Sequence, residues 1–261
     1  MCRCMLMHIS NIIIQMKNYK LIIQYDGTDY HGWQSQENAI TIQDVLSKAL
    51  SRLLNCERPD VVGCGRTDSG VHAKKYVCNF KGETSIPMGK FPLALNTFLP
   101  DDIICIHSEE VSNDFNSRYM AKKKTYSYYI NNSKFPDAFL KRYSWHYKYD
   151  LDLDKMKKAA KAFLGTHDFL GFAASGFTVK TTVRTIYSLE INKKDDLISI
   201  DITGDGFLYN MVRIIAGTLV FVGSGKIKVE DMPGILESKD RKRAGITAPA
   251  HGLFLSEVYY D

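Results

Sequence analysis

Apolar residues alternate with polar ones along some stretches of the chain and recur every third or fourth position along others. In "YKLIIQY", Tyr19, Leu21, Ile23 and Tyr25 share one face, which predicts a strand running into a turn at Asp26-Gly27. In "TIQDVLSKALSRLL", Ile42, Val45, Leu46, Ala49, Leu50 and Leu53 fall on one helical face. Thr41 stands as its N-cap, with Asp44 three residues on to complete a capping box. A short strand at Val61–Cys64 enters a glycine-rich loop, and Tyr76, Cys78 and Phe80 alternate out of it. "FPLALNTFLP" predicts a short helix and "DIICIHSEEV" another strand.

The pattern then restarts. "TYSYYIN", "TIYSLEIN" and "LISIDITG" read as strands, and Leu153, Met156, Ala159, Ala160 and Phe163 mark a helix. "FLYNMVRIIAGTLVFVG" predicts a long helix, and "LFLSEVYY" closes the chain as a strand. Helices interleaved with hairpin-like strand pairs imply an α+β protein with mainly antiparallel sheets, each half compatible with a ferredoxin-like unit. The polar stretch Val111–Arg118 divides the chain into an N-terminal half, 16–112, and a C-terminal half, 113–261. Residues 1–15 lack a basic cluster followed by a continuous apolar stretch, so they do not read as a signal peptide. They are expected to be a disordered extension from an upstream start.

Composition narrows the class. The 261 residues suffice for one large domain or two smaller ones, and 45% hydrophobic with 24% charged residues fits a globular protein. Thirty-four Lys+Arg against 29 Asp+Glu leave +5, a mild tilt toward a polyanionic partner. No apolar run reaches the ~18 residues of a membrane span. Of the six cysteines, Cys64, Cys78 and Cys105 lie in apolar runs and none has metal-site spacing, which fits a reducing cytoplasm. Neither GxGxxG nor GxxxxGK[ST] occurs, so nothing points to a nucleotide cofactor.

The chemistry-bearing candidates are few. In "GCGRTDSGVHA", Gly63–Ala73, Asp68 has two readings. Its carboxylate could accept backbone N–H groups in an Asx-turn, or it could work at a cleft floor as nucleophile or acid/base. A working carboxylate shielded from water needs a fixed cation, for which Arg66, Arg118, Arg184 and Arg213 are available. Arg213 stands among Met211, Val212, Ile214 and Ile215, so it either pairs with a buried carboxylate or snorkels to water. Tyr126 and Tyr128 share a strand face after the basic run Lys122–Lys124, a pattern that suits either core packing or base stacking. His167 and Asp168 in "GTHDF" are adjacent on an apparent turn with no third ligand at metal spacing, so no metal is expected.

Taken jointly, "YDGTDYHGWQ", "GCGRTDSGVHA", "FNSRYMAKKKTYSYYI", "GTHDFLGF", "GDGFLYNMVRIIAGTL" and "APAHGLFLSEVYY" resemble the tRNA pseudouridine synthase A family, in family order over nearly all the chain after Met16. Ser69 stands where that family commonly has alanine. The resemblance implies the pseudouridine synthase fold, with the two halves flanking a central catalytic cleft. It also implies isomerisation of uridine to pseudouridine at positions 38, 39 and 40 of the tRNA anticodon stem-loop, by a cytoplasmic homodimer using no cofactor or metal. By the same resemblance Asp68 is the catalytic carboxylate, Tyr126 lies near the target base and Arg213 pairs with Asp68. Arg66 helps extrude the target nucleotide, and Arg118 contacts the RNA backbone. The alternatives are a catalytically silent tRNA-binding protein or chaperone on the same scaffold, and an unrelated carboxylate hydrolase, which would want a second catalytic acid.

Overall fold

The computed structural model describes residues 16–176 and 179–260, so the expectation for residues 1–15 lies outside the described residues. Ten strands join in one sheet: β1 (Lys17–Tyr25), β2 (Val61–Gly63), β3 (His72–Gly82), β4 (Ile103–Val111), β5 (Lys123–Asn131), β6 (Trp145–His146), β7 (Gly165–Asp168), β8 (Val183–Lys194), β9 (Leu197–Gly204) and β10 (Leu253–Tyr259). The order across the sheet is β4-β1-β3-β10-β5-β9-β8-β7, with β2 on β3 and β6 on β5. Pairing is antiparallel except between β10 and β3 and between β5 and β6. The protein is therefore α+β with a mainly antiparallel sheet, as the alternation pattern predicts.

The helices are α1 (Ile42–Leu54), α2 (Phe91–Asn96), α3 (Leu153–Ala160), α4 (Met211–Gly223) and α5 (Met232–Ser238). Thr41 caps α1 as expected: its hydroxyl oxygen accepts the Asp44 N–H at 3.3 Å and donates to Asp44 Oδ2 at 2.5 Å. Such a cap stabilises a helix by about 1 kcal/mol.

Two apolar clusters flank the middle of the sheet. One joins Leu21, Ile23, Leu46 and Leu50 to Cys78 and Phe80, and the other joins Tyr128, Ile200 and Ile202 to α4. Strand β10 belongs to both, placing Leu253 in the second cluster and Leu255 and Val258 in the first. Its link to β3 consists of two register pairs, Phe254↔His72 and Leu255↔Ala73. This narrow joint brings the loop before β3 against elements from the far end of the chain.

Three details differ from the sequence reading. "GTHD" is not a turn but the edge strand β7, which forms because β8 offers it four register partners. Helix α4 starts at Met211, not Phe207, because Asn210 adopts a left-handed conformation (φ 60°) at its N-cap. Helix α5 and strand β6 are too short to leave a periodic signal.

Candidate active site

The loop between β2 and β3 is fixed from several directions. Asp68 and Val71 close a turn through Val71 N–H to Asp68 O at 3.2 Å, with Gly70 at φ +75°, where a type II turn wants glycine. Trp33 N–H donates to Thr67 O at 3.3 Å, and the Tyr25 and Thr67 hydroxyls pair at 2.9 Å. Gly32 lets the β1–α1 segment come this close: a Cβ there would lie 2.2 Å from Thr67 O. On the other side the Tyr76 hydroxyl donates to Gly65 O at 2.5 Å and Lys124 Nζ to Cys64 O at 2.6 Å. Thus Lys124, the last of the basic run Lys122–Lys124, turns inward, and burial pulls its pKa below the usual lysine value.

The Asp68 carboxylate receives no backbone N–H among the described residues, so the Asx-turn reading is not realised. Its partner is Arg213, whose Nη1 lies 3.2 Å from Oδ2, with the two side chains 17% and 23% exposed. Arg213 therefore pairs; it does not snorkel. Its guanidinium is aimed by two further acceptors: Nε donates to Ala248 O at 2.7 Å and Nη1 to Asn210 Oδ1 at 2.7 Å. The backbone closes the arrangement, as Ala248 N–H donates to Arg213 O at 3.1 Å.

Helix α4 can hold this position because all but two of its residues are buried, Ile214, Ile215, Leu219, Val220 and Val222 completely. Each such side chain contributes about 1.5–3 kcal/mol on burial. The arginine thus projects from a rigid rod, at the cost of one charge at an otherwise apolar surface.

Burial raises the Asp68 pKa above its ordinary 3.8, and Arg213 opposes this by charge and hydrogen bond without overcoming it. The carboxyl therefore titrates on the alkaline side of an exposed aspartate.

Tyr126 lies on β5 between Leu255 of β10 and Ile202 of β9, and its ring packs against both apolar clusters. Its edge meets Phe207 at 5.2 Å and 84°. Burial, and secondarily the charges of Cys64 and Asp68, push its phenol well above the usual tyrosine range. The hydroxyl stays protonated, and with no protein group among the described residues bonding it, its oxygen is open to solvent or a bound base. Tyr128, two residues on, is buried and donates to Pro249 O at 2.8 Å, a packing role.

The other arginines sit apart from the pair. Arg66 is exposed and forms no ion pair with Asp68. Arg118 is exposed, lies over the Tyr119 ring at 5.6 Å, and adds to the lowering of the Lys124 pKa. Arg184 donates Nη1 to the carbonyls of Thr181 and Val183. Away from this site, His167 bonds Leu164 O, and Asp168 holds Thr182 and Lys239.

Sequence reasoning did not single out Asn210, the Ala248 carbonyl, Tyr25, Trp33 or Tyr76. Asn210 alone left a readable signal, a capping-type residue three positions before Arg213.

Comparison with known proteins places the chain in a family. The family model described as tRNA pseudouridine synthase matches residues 21–120 and 159–261. The chain is 53% identical to tRNA pseudouridine synthase A of Acetivibrio thermocellus over 245 residues, 94% of this chain and 100% of that one. It is 52% identical to the protein of the same name from Ruminiclostridium cellulolyticum over 246 residues, again 94% and 100%. A solved H/ACA ribonucleoprotein bound to a substrate RNA containing 2'-deoxyuridine aligns with 78% of this chain and 44% of that chain. Its identity is 11% and its TM-score 0.37, a weak likeness that adds nothing to the sequence relationship. By the family match over residues 21–120 and 159–261 and identities above half along whole relatives, this chain belongs to the tRNA pseudouridine synthase family.

Proposed function

We propose that this enzyme isomerises uridine to pseudouridine in the anticodon stem-loop of tRNA, at positions 38, 39 and 40, as a cytoplasmic homodimer. Residues 16–112 supply Asp68, and 113–261 supply Tyr126 and Arg213. The observation that carries the reading is the Asp68–Arg213 pair at 3.2 Å, both groups largely withdrawn from water, with Tyr126 near enough that the Asp68 charge helps raise its phenol. One carboxylate, one fixed cation and one aromatic ring suit a reaction at a glycosidic bond that needs no second acid.

The N1–C1′ bond breaks, the uracil turns while still held, a C5–C1′ bond forms as the C5 hydrogen leaves as a proton, and N1 takes up a proton, so that the product is an isomer of the substrate. Ionised Asp68 attacks C1′, adds to C6, or assists loss of the C2′ proton, and each route requires the carboxylate form. Tyr126 supplies a ring and a protonated hydroxyl at the base. Taking the base out of the stack costs a few kcal/mol, which Arg66 and Arg118 help offset through base and phosphate contacts. A silent tRNA-binding protein would have no need to keep a charge pair in so dry a place.

The test is pseudouridine mapping by carbodiimide adducts and reverse transcription on unmodified tRNA incubated with the protein. Stops at positions 38 to 40 are expected. Adducts confined to other positions, or none, would overturn the assignment.

A further inference from the structure

Between β5 and β6 the chain makes a loop, "KFPDAFLKRY", in which aromatic and basic residues interleave. Phe135 is 71% exposed and Phe139 88%, the latter the most exposed large apolar side chain among the described residues. Neither ring contributes to a core, so folding gives no reason to hold them in water.

The loop is nonetheless firmly shaped. Asp137 Oδ1 accepts the N–H groups of Phe139 at 2.7 Å and Leu140 at 3.2 Å, and Ser144 Oγ donates to Leu140 O at 3.0 Å. Asn131 Oδ1 accepts from Ser133 at its start. The rings are thus presented from a fixed backbone, and less ordering remains to be done when something binds them.

The charges point the same way. Lys134 and Lys141 have no carboxylate within ion-pair distance among the described residues, and Lys134 Nζ lies 5.5 Å from the Phe135 ring centre. Arg142 reaches Asp29 only at 3.8 Å, with both side chains more than half exposed, a contact of little strength. Asp137 is occupied by backbone donors. The surface therefore offers unscreened cations beside bare aromatic faces, the combination that binds unpaired nucleotides by stacking and phosphate neutralisation.

Its base touches the start of β3 and the turn after β1. The Tyr143 hydroxyl donates to Asp26 Oδ2 at 2.8 Å, and its ring lies 5.4 Å from that of His72, four residues beyond Asp68. His72 accepts the Gly27 N–H at Nδ1, leaving Nε2 to donate to His251 O at 3.2 Å. The Phe135–Arg142 surface is thus tied through Tyr143 to the strand that follows the Asp68 loop.

We propose that this loop is a second contact surface for the RNA substrate, with Phe135 and Phe139 stacking on unpaired bases and Lys134, Lys141 and Arg142 holding their phosphates. The proposal rests on the tRNA reading above and extends it to residues outside the reaction centre.

The test is the double variant Phe135→Ala/Phe139→Ala in the full chain, with tRNA affinity measured by anisotropy and by single-turnover titration. A Kd weakened about ten-fold or more is expected. The melting temperature and the rate at saturating tRNA should hold near the parent values, and Phe139→Trp should keep affinity. Lys141→Ala should lower the salt slope of binding by about one charge. Unchanged tRNA affinity in the double variant would overturn the proposal. So would a change in sedimentation showing that the rings cover a second copy of the chain. If the parent fails to release tritium from C5-labelled tRNA, the functional reading itself falls; an active parent with an unaffected variant fells only the loop proposal.

Discussion

Arg213 Nη1 meets Asp68 Oδ2 at 3.2 Å, and the same Nη1 donates to Asn210 Oδ1. A helix and a loop 145 residues apart in sequence are thereby tied through one guanidinium. Removing the cation with Arg213→Ala leaves a desolvated carboxylate without a partner. The expected loss is about 3 kcal/mol, the lower end for unpairing a buried charge because both groups keep some exposure. A double-mutant cycle with Asp68→Asn, read by denaturant unfolding, is expected to show coupling between the sites. Strict additivity would contradict the pairing.

The acid limb of the pH–rate profile should report Asp68. Burial raises its pKa above 3.8, so the reactive carboxylate form accumulates only as pH climbs through that raised value, and kcat/KM climbs with it. Arg213 lowers the pKa in the folded enzyme, so its removal moves the limb further toward alkaline pH. A limb at or below the ordinary carboxylate value, or one that Arg213→Ala leaves in place, would contradict this assignment.

Tyr126→Phe deletes a hydroxyl that bonds nothing else among the described residues while keeping a ring that packs on both clusters. Stability should therefore stay near that of the parent while the single-turnover rate falls. An unchanged rate would reduce Tyr126 to a packing residue.

Arg66 is exposed and not paired with Asp68, so Arg66→Ala should leave the melting temperature unaltered while slowing conversion of structured tRNA. Arg66→Lys should slow it too, because a lysine cannot stack its head group or bond a phosphate bidentately. A drop in melting temperature as large as that of Arg213→Ala would make Arg66 a structural partner of the carboxylate.

How far the sequence disclosed this site depends on which forces act locally. Alternation marked β1 and β9, where buried positions alternate with more open ones, and also β3 and β5, where apolar side chains keep to one face although Asn79, Ser127 and Asn131 are buried as well. A charge on an apolar helix face marked Arg213. The Asp68 loop stood out by its glycines, one of which, Gly70, the turn requires. What stayed hidden was long-range. Edge strand β7 exists through its pairing with β8, and the β3–β10 joint is two residue pairs between segments about 180 positions apart. The start of α4 depended on one left-handed asparagine. The inward turn of Lys124 was equally unreadable, since nothing in "AKKKTY" tells which ammonium will find the Cys64 carbonyl.

The most direct test of the account is tritium release from tRNA labelled at uridine C5, comparing the parent with Asp68→Asn. The amide keeps the size of the side chain and an oxygen for Arg213 but loses basicity and nucleophilicity. The account predicts release by the parent, none detectable from the variant, and tRNA affinity nearly unchanged. Release by Asp68→Asn at more than a few per cent of the parent rate would contradict it.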